Sequence, residues 1–297
     1  MDRTLRKNDY DLPGILGLIG PHLKRISITD WSLQNDEKQH LQTSLSLISI
    51  RFPSLQYFYL HCKQPLAVCK LISTALPSNL DDLRTFQCDH VPIAESTFSA
   101  LGRLQHLSEL SIRLPAFLSW APLPPESFPV KEATIHLRDV PKVHDAVRFF
   151  DLISRQFSHA GLSKLSIDMS EDANLISRSR DNKVTLTRDH LRHLLSFTML
   201  AVNLACPYAL NGNFCSEITK ALPDIECLYI GTYDGCHHDT APGMLPTMTQ
   251  VLAPFATHCP KLNILGIPFD ARQSLTIDAV RDALPQRPTS SDPGNDP

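Results

Sequence analysis

The densest run of chemically capable side chains is Cys236-His237-His238-Asp239, four potential metal ligands in a row. Adjacent residues rarely converge on one ion, because tetrahedral sites draw their ligands from separated positions. No complementary pair sits at ligand spacing, so the stretch reads as a solvated loop. His190 and His193 lie three apart on an expected helix and read as a surface pair. Gly14, Gly17 and Gly20 are also spaced by three; they sit near a weak helical pattern and read as turns rather than as a phosphate loop. The sequence has no GxGxxG, no GxxxxGK followed by Ser or Thr, no HExxH and no GxSxG. With 13 histidines and 31 acidic residues some Ser/His/Asp combination arises by chance, and no triad is assigned. The chain is therefore not expected to be an enzyme, and no catalytic residue, metal or cofactor is expected.

The eight cysteines include no CxxC pair, which removes zinc-knuckle and thioredoxin-type readings. Most sit among apolar neighbours and read as buried, reduced thiols, which implies an intracellular location, cytoplasm or nucleus. The net charge of −3 lacks the basic excess that phosphates demand, so no nucleic-acid partner is expected. No apolar run reaches the roughly 20 residues of a membrane helix, so no membrane partner is expected. The first residues carry no signal peptide.

Leucine is the compositional outlier, with 43 of 297 residues, while glycine is scarce at 11 and proline high at 23. The leucines fall in a recurring Leu-x-x-Leu-x-Leu/Ile unit, often introduced by Pro-x. Complete copies begin at Leu23, Leu55, Leu107, Leu162, Ile225 and Leu262; degenerate ones begin at Leu83, Val130 and Phe197. The nine starting positions are spaced by 23 to 37 residues. Segments between them show helical periodicity: Leu41, Leu45 and Ile48; Leu66 to Ile72; Val147, Phe150, Ile153 and Phe157; Asp189 to Phe197 after a capping Thr187; Ser216 to Leu222; Met248 to His258. Several run into Pro53, Pro77, Pro223 or Pro260, where a helix cannot continue. Each unit reads as helix, proline stop, short turn and strand. Repetition gives an α/β solenoid: a parallel sheet lining the inside of a horseshoe arc, with helices outside. Residues 1–20 form a short N-terminal helix or edge, 21–285 the solenoid, and 286–297 a disordered tail.

The runs Pro-Ser-Leu-Gln-Tyr-Phe-Tyr-Leu (53–60), Leu-Pro-Asp-Ile-Glu-Cys-Leu-Tyr-Ile-Gly (222–231) and His-Cys-Pro-Lys-Leu-Asn-Ile-Leu-Gly-Ile (258–267) resemble the leucine-rich-repeat region of fungal F-box proteins. The resemblance implies a substrate receptor of a ubiquitin ligase. The first repeat strand starts by residue 23, which leaves no room for an F-box, so binding to a Skp1-type adaptor is not expected of this chain. The consensus asparagine or cysteine eight residues after each first leucine is missing, so the arc is expected to be irregular.

Alternate strand residues point to opposite faces. If the repeat leucines point into the core, the inner face carries Tyr57, Tyr59 and His61, then Gln87 and Asp89, then Glu109 and Arg113 on three neighbouring strands. Tyrosine and arginine are enriched where proteins bind proteins. The function expected is a non-catalytic protein-binding scaffold with its partner on the concave face. A truncated fragment without independent function, or an α/β enzyme with an unrecognised site, are the alternatives.

Overall fold

The computed structural model describes residues 2–6, 12–31, 37–62, 80–114, 128–137, 143–157, 161–169, 186–191, 194, 198–203, 208–231 and 245–270. The expected helix over 66–76, the Cys236–Asp239 loop and the tail at 286–297 lie outside them.

All nine predicted units form strands: β2 (Arg25–Trp31), β3 (Tyr57–Cys62), β4 (Thr85–Pro92), β5 (Glu109–Leu114), β6 (Glu132–Leu137), β7 (Lys164–Met169), β9 (Met199–Asn203), β11 (Cys227–Gly231) and β12 (Ile264–Gly266). They are parallel neighbours in chain order. A tenth strand, β1 (Asp2–Arg6), pairs with β2 and extends the sheet beyond the first repeat. Two further strands, β8 (Leu186–Thr187) and β10 (Tyr208–Ala209), pair apart from it. The helices are α1 (Leu12–Leu18), α2 (Glu37–Arg51), α3 (Glu95–Gly102), α4 (Val143–Gln156), α5 (Arg188–Leu191), α6 (Gly212–Ala221) and α7 (Met248–His258). The fold is α/β, a ten-stranded parallel sheet with seven helices among the described residues.

The turn entering each strand explains the recurrence of the unit. Leu55 N–H donates to Phe52 O, Ile225 N–H to Leu222 O and Leu262 N–H to Cys259 O, each bridging a turn with proline at its second position. The next residue then hands a bond to its neighbour: Gln56 N–H to Lys24 O, Arg84 to Gln56, Ser108 to Arg84, Lys131 to Ser108, and so on to Asn263 on Glu226. The following residue bonds to the same carbonyl, as Tyr57 N–H does to Lys24 O, and this pair recurs at every step from β2 to β12, starting each of those strands in the same register.

In that register Ile26 and Ile28 of β2, Phe58 and Leu60 of β3, and the residues paired with them in β4, β5, β6, β7, β9 and β11 are buried. Ile26, Phe58, Phe86, Leu110, Leu165, Leu200 and Leu228 form one apolar cluster with the buried helix residues. The helices therefore cover this face. Inside it Phe58 stacks on Phe86 at 5.5 Å, and Phe98, Phe128 and Phe157 pack together.

Several local expectations are corrected. Gly14 and Gly17 lie inside α1, not in turns. Val147 is 43% exposed, because α4 buries Ala146, Phe149, Phe150 and Ile153 instead. The helix expected over Asp189–Phe197 is described only as the single turn α5, and Thr187 is joined to it by the His190 ring: its N–H donates to Nδ1 at 3.1 Å. That return contact, under Phe150 at 6.1 Å, buries His190, so it is not a surface residue. Helix α3 was missed; its Ser, Thr and Gly content hides an apolar pair, Phe98 and Leu101.

Candidate protein-interaction face

Arg25 and Ser27 of β2, Tyr57 and Tyr59 of β3, Thr85 and Gln87 of β4, and Glu109 and Ser111 of β5 lie on the face away from the helices. Tyr57, Thr85 and Glu109 are in direct register, as are Tyr59, Gln87 and Ser111. Of the predicted residues, Tyr57, Tyr59, His61, Gln87 and Asp89 are half-buried and Glu109 is exposed. Arg113 is buried, contrary to its expected place as an exposed orienting charge. The cause is a register shift between Cys88 and Pro92, which pairs Pro92 with Arg113. The guanidinium lies under β4, with Nη1 donating to His90 O at 3.3 Å. The same irregularity leaves both Asp89 and His90 half-buried in succession and brings the His90 ring to 4.0 Å from His61.

Side chains on this face join six strands in one network. The Arg25 guanidinium lies 4.6 Å over the Tyr57 ring, a cation–π contact. Tyr57 Oη donates to Gln87 Oε1 at 3.3 Å, and Gln87 Nε2 donates to Asp89 Oδ2 at 2.8 Å. Ser111 Oγ donates to Asp89 Oδ1, and stands 3.4 Å from His136 Nε2. His136 Nδ1 is 2.6 Å from Asp168 Oδ1. At the adjacent row Thr85 Oγ1 donates to Glu109 Oε2, and Lys164 Nζ pairs with Glu132 Oε1 at 2.7 Å. Ser111, His136 and Asp168 were on the outward alternation of their strands but were not selected. Their connection appears only when β5, β6 and β7 are aligned, with His136 opposite Asp168.

Burial is the largest influence on His136 and opposes its charge. The hydrogen bond and charge of Asp168, with the charge of Asp89, outweigh it and raise the pKa above the ordinary histidine value. His90 moves the other way: burial lowers it first, then the adjacent His61.

Ser111, His136 and Asp168 stand in the order of a hydrolytic triad, but a second carboxylate, Asp89, engages the serine. A nucleophilic serine gives its proton to the histidine. Here Ser111 Oγ donates to Asp89 Oδ1, and its 3.4 Å contact with His136 Nε2 takes its direction from the protonation of the ring.

The face changes character toward β12. Met199, Cys227 and Ile264 share one row and Ala201, Tyr229 and Gly266 the next. The Tyr229 ring lies over Gly231 and Gly266, where a Cβ at either position would collide with it. Glycine there lets an aromatic lie flat on the backbone.

On the helix side, a cleft of about 540 Å³ opens between the first turns of α6 and α7. Its helix ends are already satisfied by their own chain. Asn211 Oδ1 accepts from Phe214 N–H, and Thr247 and Gln250 form a reciprocal capping box. Among the described residues no cluster of three metal-capable side chains exists and no helix is long and apolar enough to cross a membrane. Cys88, Cys215 and Cys259 are buried thiols outside any disulfide, and Cys227 is a half-buried one on the open face. In comparisons with known proteins, no family model and no curated sequence matches the chain.

Proposed function

We propose that this chain is a non-catalytic protein-binding scaffold. Its sheet would be the inner face of an irregular leucine-rich-repeat solenoid, used as the repeats of an F-box ubiquitin-ligase receptor use theirs, to recruit a substrate protein. The observation that carries the reading is the side-chain network from Arg25 to Asp168 across six strands of the face the helices leave open. Tyr57, Gln87, Asp89 and Ser111 are held by hydrogen bonds to one another, so little of their rotamer freedom remains to be lost on binding. The tyrosines at 57 and 59 add apolar area with few rotors beside it. The repeat unit, its proline turns and the strand order all support the solenoid reading.

The test is photo-crosslinking in cells, with a benzophenone side chain at position 59 on the open face and, separately, at position 147 on the exposed side of α4. The reading expects a discrete protein adduct from position 59 and none from position 147. Adducts from position 147 alone would refute it.

A further inference from the structure

The geometry points to a proton-operated lock at the centre of the open face: an imidazolium at His136 ties β6 to Asp89 of β4 and Asp168 of β7, and its deprotonation releases Asp89 while Asp168 stays held. The argument is a count of protons. Asp168 Oδ1, 2.6 Å from His136 Nδ1, is a carboxylate oxygen and accepts only. Ser111 has one hydroxyl proton, and it is placed on Asp89 Oδ1. The Ser111 oxygen at 3.4 Å and Asp89 Oδ1 at 3.7 Å therefore both present lone pairs to His136 Nε2. With the Ser111 proton on Asp89, both ring nitrogens face acceptors, and only the doubly protonated ring satisfies both.

The charged surroundings decide which histidine takes the proton. His136 is faced by Asp89 and His90 from β4, Arg113 from β5 and Asp168 from β7; His61 on β3 reaches the group through His90. Two carboxylates, 2.6 and 3.7 Å from its ring nitrogens, favour the charge on His136, and their pull outweighs burial and the Arg113 charge. His90 has the reverse balance, packed against His61 and beside Arg113. One proton thus settles on the ring that bridges strands.

When that proton leaves, Nδ1–H stays on Asp168 and Nε2 becomes an acceptor. The Ser111 hydroxyl then either keeps Asp89, leaving two lone-pair atoms face to face, or swings to Nε2, leaving Asp89 Oδ1 without its donor. In both cases the face loses one positive charge and the tie between β4 and β6 is lost. A partner presenting a basic side chain to Asp89 would bind more tightly in the deprotonated form. That consequence rests on the reading of this face as the recognition surface; the lock itself does not.

The experiment follows the imidazole nitrogen and carbon resonances of the uniformly labelled full chain between about pH 5 and pH 9, across the histidine range. His136 is expected to titrate above the ordinary histidine value. The backbone amides of Gln87 and Ser111 are expected to shift with the same midpoint. Asp168→Asn should lower that midpoint by about one unit or more. Asp89→Asn, which keeps the closer partner, should lower it by less and serves if the first variant does not fold. A His136 midpoint at or below the ordinary value, one unmoved by both variants, or Gln87 and Ser111 amides indifferent to it would overturn the lock. None of these results depends on the partner, and loss of the position-59 adduct would sink the binding reading without altering them.

Discussion

Replacing Leu228 by alanine tests the register on which the facing of every residue depends. Leu228 is fully buried in β11, opposite Leu200 of β9 and Leu265 of β12. The substitution removes three carbons. At about 0.8 kcal/mol per buried methylene, the transfer loss alone is about 2.4 kcal/mol. Leu200 is held by its own strand and cannot collapse fully into the gap, so the cavity adds to this, for a total of about 2–5 kcal/mol. Urea unfolding should show a lower midpoint with an unchanged slope. The neighbouring Tyr229 is 39% exposed on the opposite face, and its replacement by alanine should cost only about 1 kcal/mol. A change within about 0.5 kcal/mol for Leu228→Ala, or a larger loss for Tyr229→Ala, would refute the assignment of faces.

Three further outcomes are expected. His136, held above the ordinary histidine value of about 6.5, lends stability fully below that value and loses it as pH rises through its folded midpoint; His90, held below it, lends stability above that value and loses it as pH falls. Urea unfolding across pH should therefore give a dome centred near that value, and His136→Asn should flatten its alkaline side. Thr247→Ala removes the side-chain acceptor for Gln250 N–H and half of a capping box at α7, and should cost about 1 kcal/mol by the same assay. Burial pushes the Cys215 thiol up to about 12, so peptide mapping should find it unmodified by a disulfide reagent at pH 8 in the native protein and modified once unfolded.

The nine main repeat strands were legible because each unit states its burial twice, by alternation and by the leucine that starts the turn. Phe58 and Leu60, and Leu228 and Ile230, are buried as that pattern requires. β1 was not legible: Asp-Arg-Thr-Leu-Arg has one apolar residue, and its place comes from pairing with β2. The irregularity in β4 was hidden too, since nothing in Cys88-Asp89-His90-Val91 announces that register shifts there. It turned Arg113 inward and set His90 against His61. Ser111, His136 and Asp168 each stood at an outward position, yet they are 25 and 32 residues apart in sequence. Reading across strands at the third outward position would have aligned His136 with Asp168; the order of the sheet was needed to do so. Val147 shows the corresponding error for helices, where a stripe one residue out of phase still satisfies the spacing.

The central claim is that the open face of the sheet, rather than the helices, recognises a partner protein. Its most direct measurement is the affinity of the Tyr59→Ala chain for the protein captured at position 59, by titration calorimetry with purified components. The account predicts binding weaker by about 2 kcal/mol, roughly thirtyfold, with a urea midpoint close to that of the unchanged chain. Unaltered affinity for Tyr59→Ala, together with loss of binding on replacing Val147 by a charged residue, would contradict it.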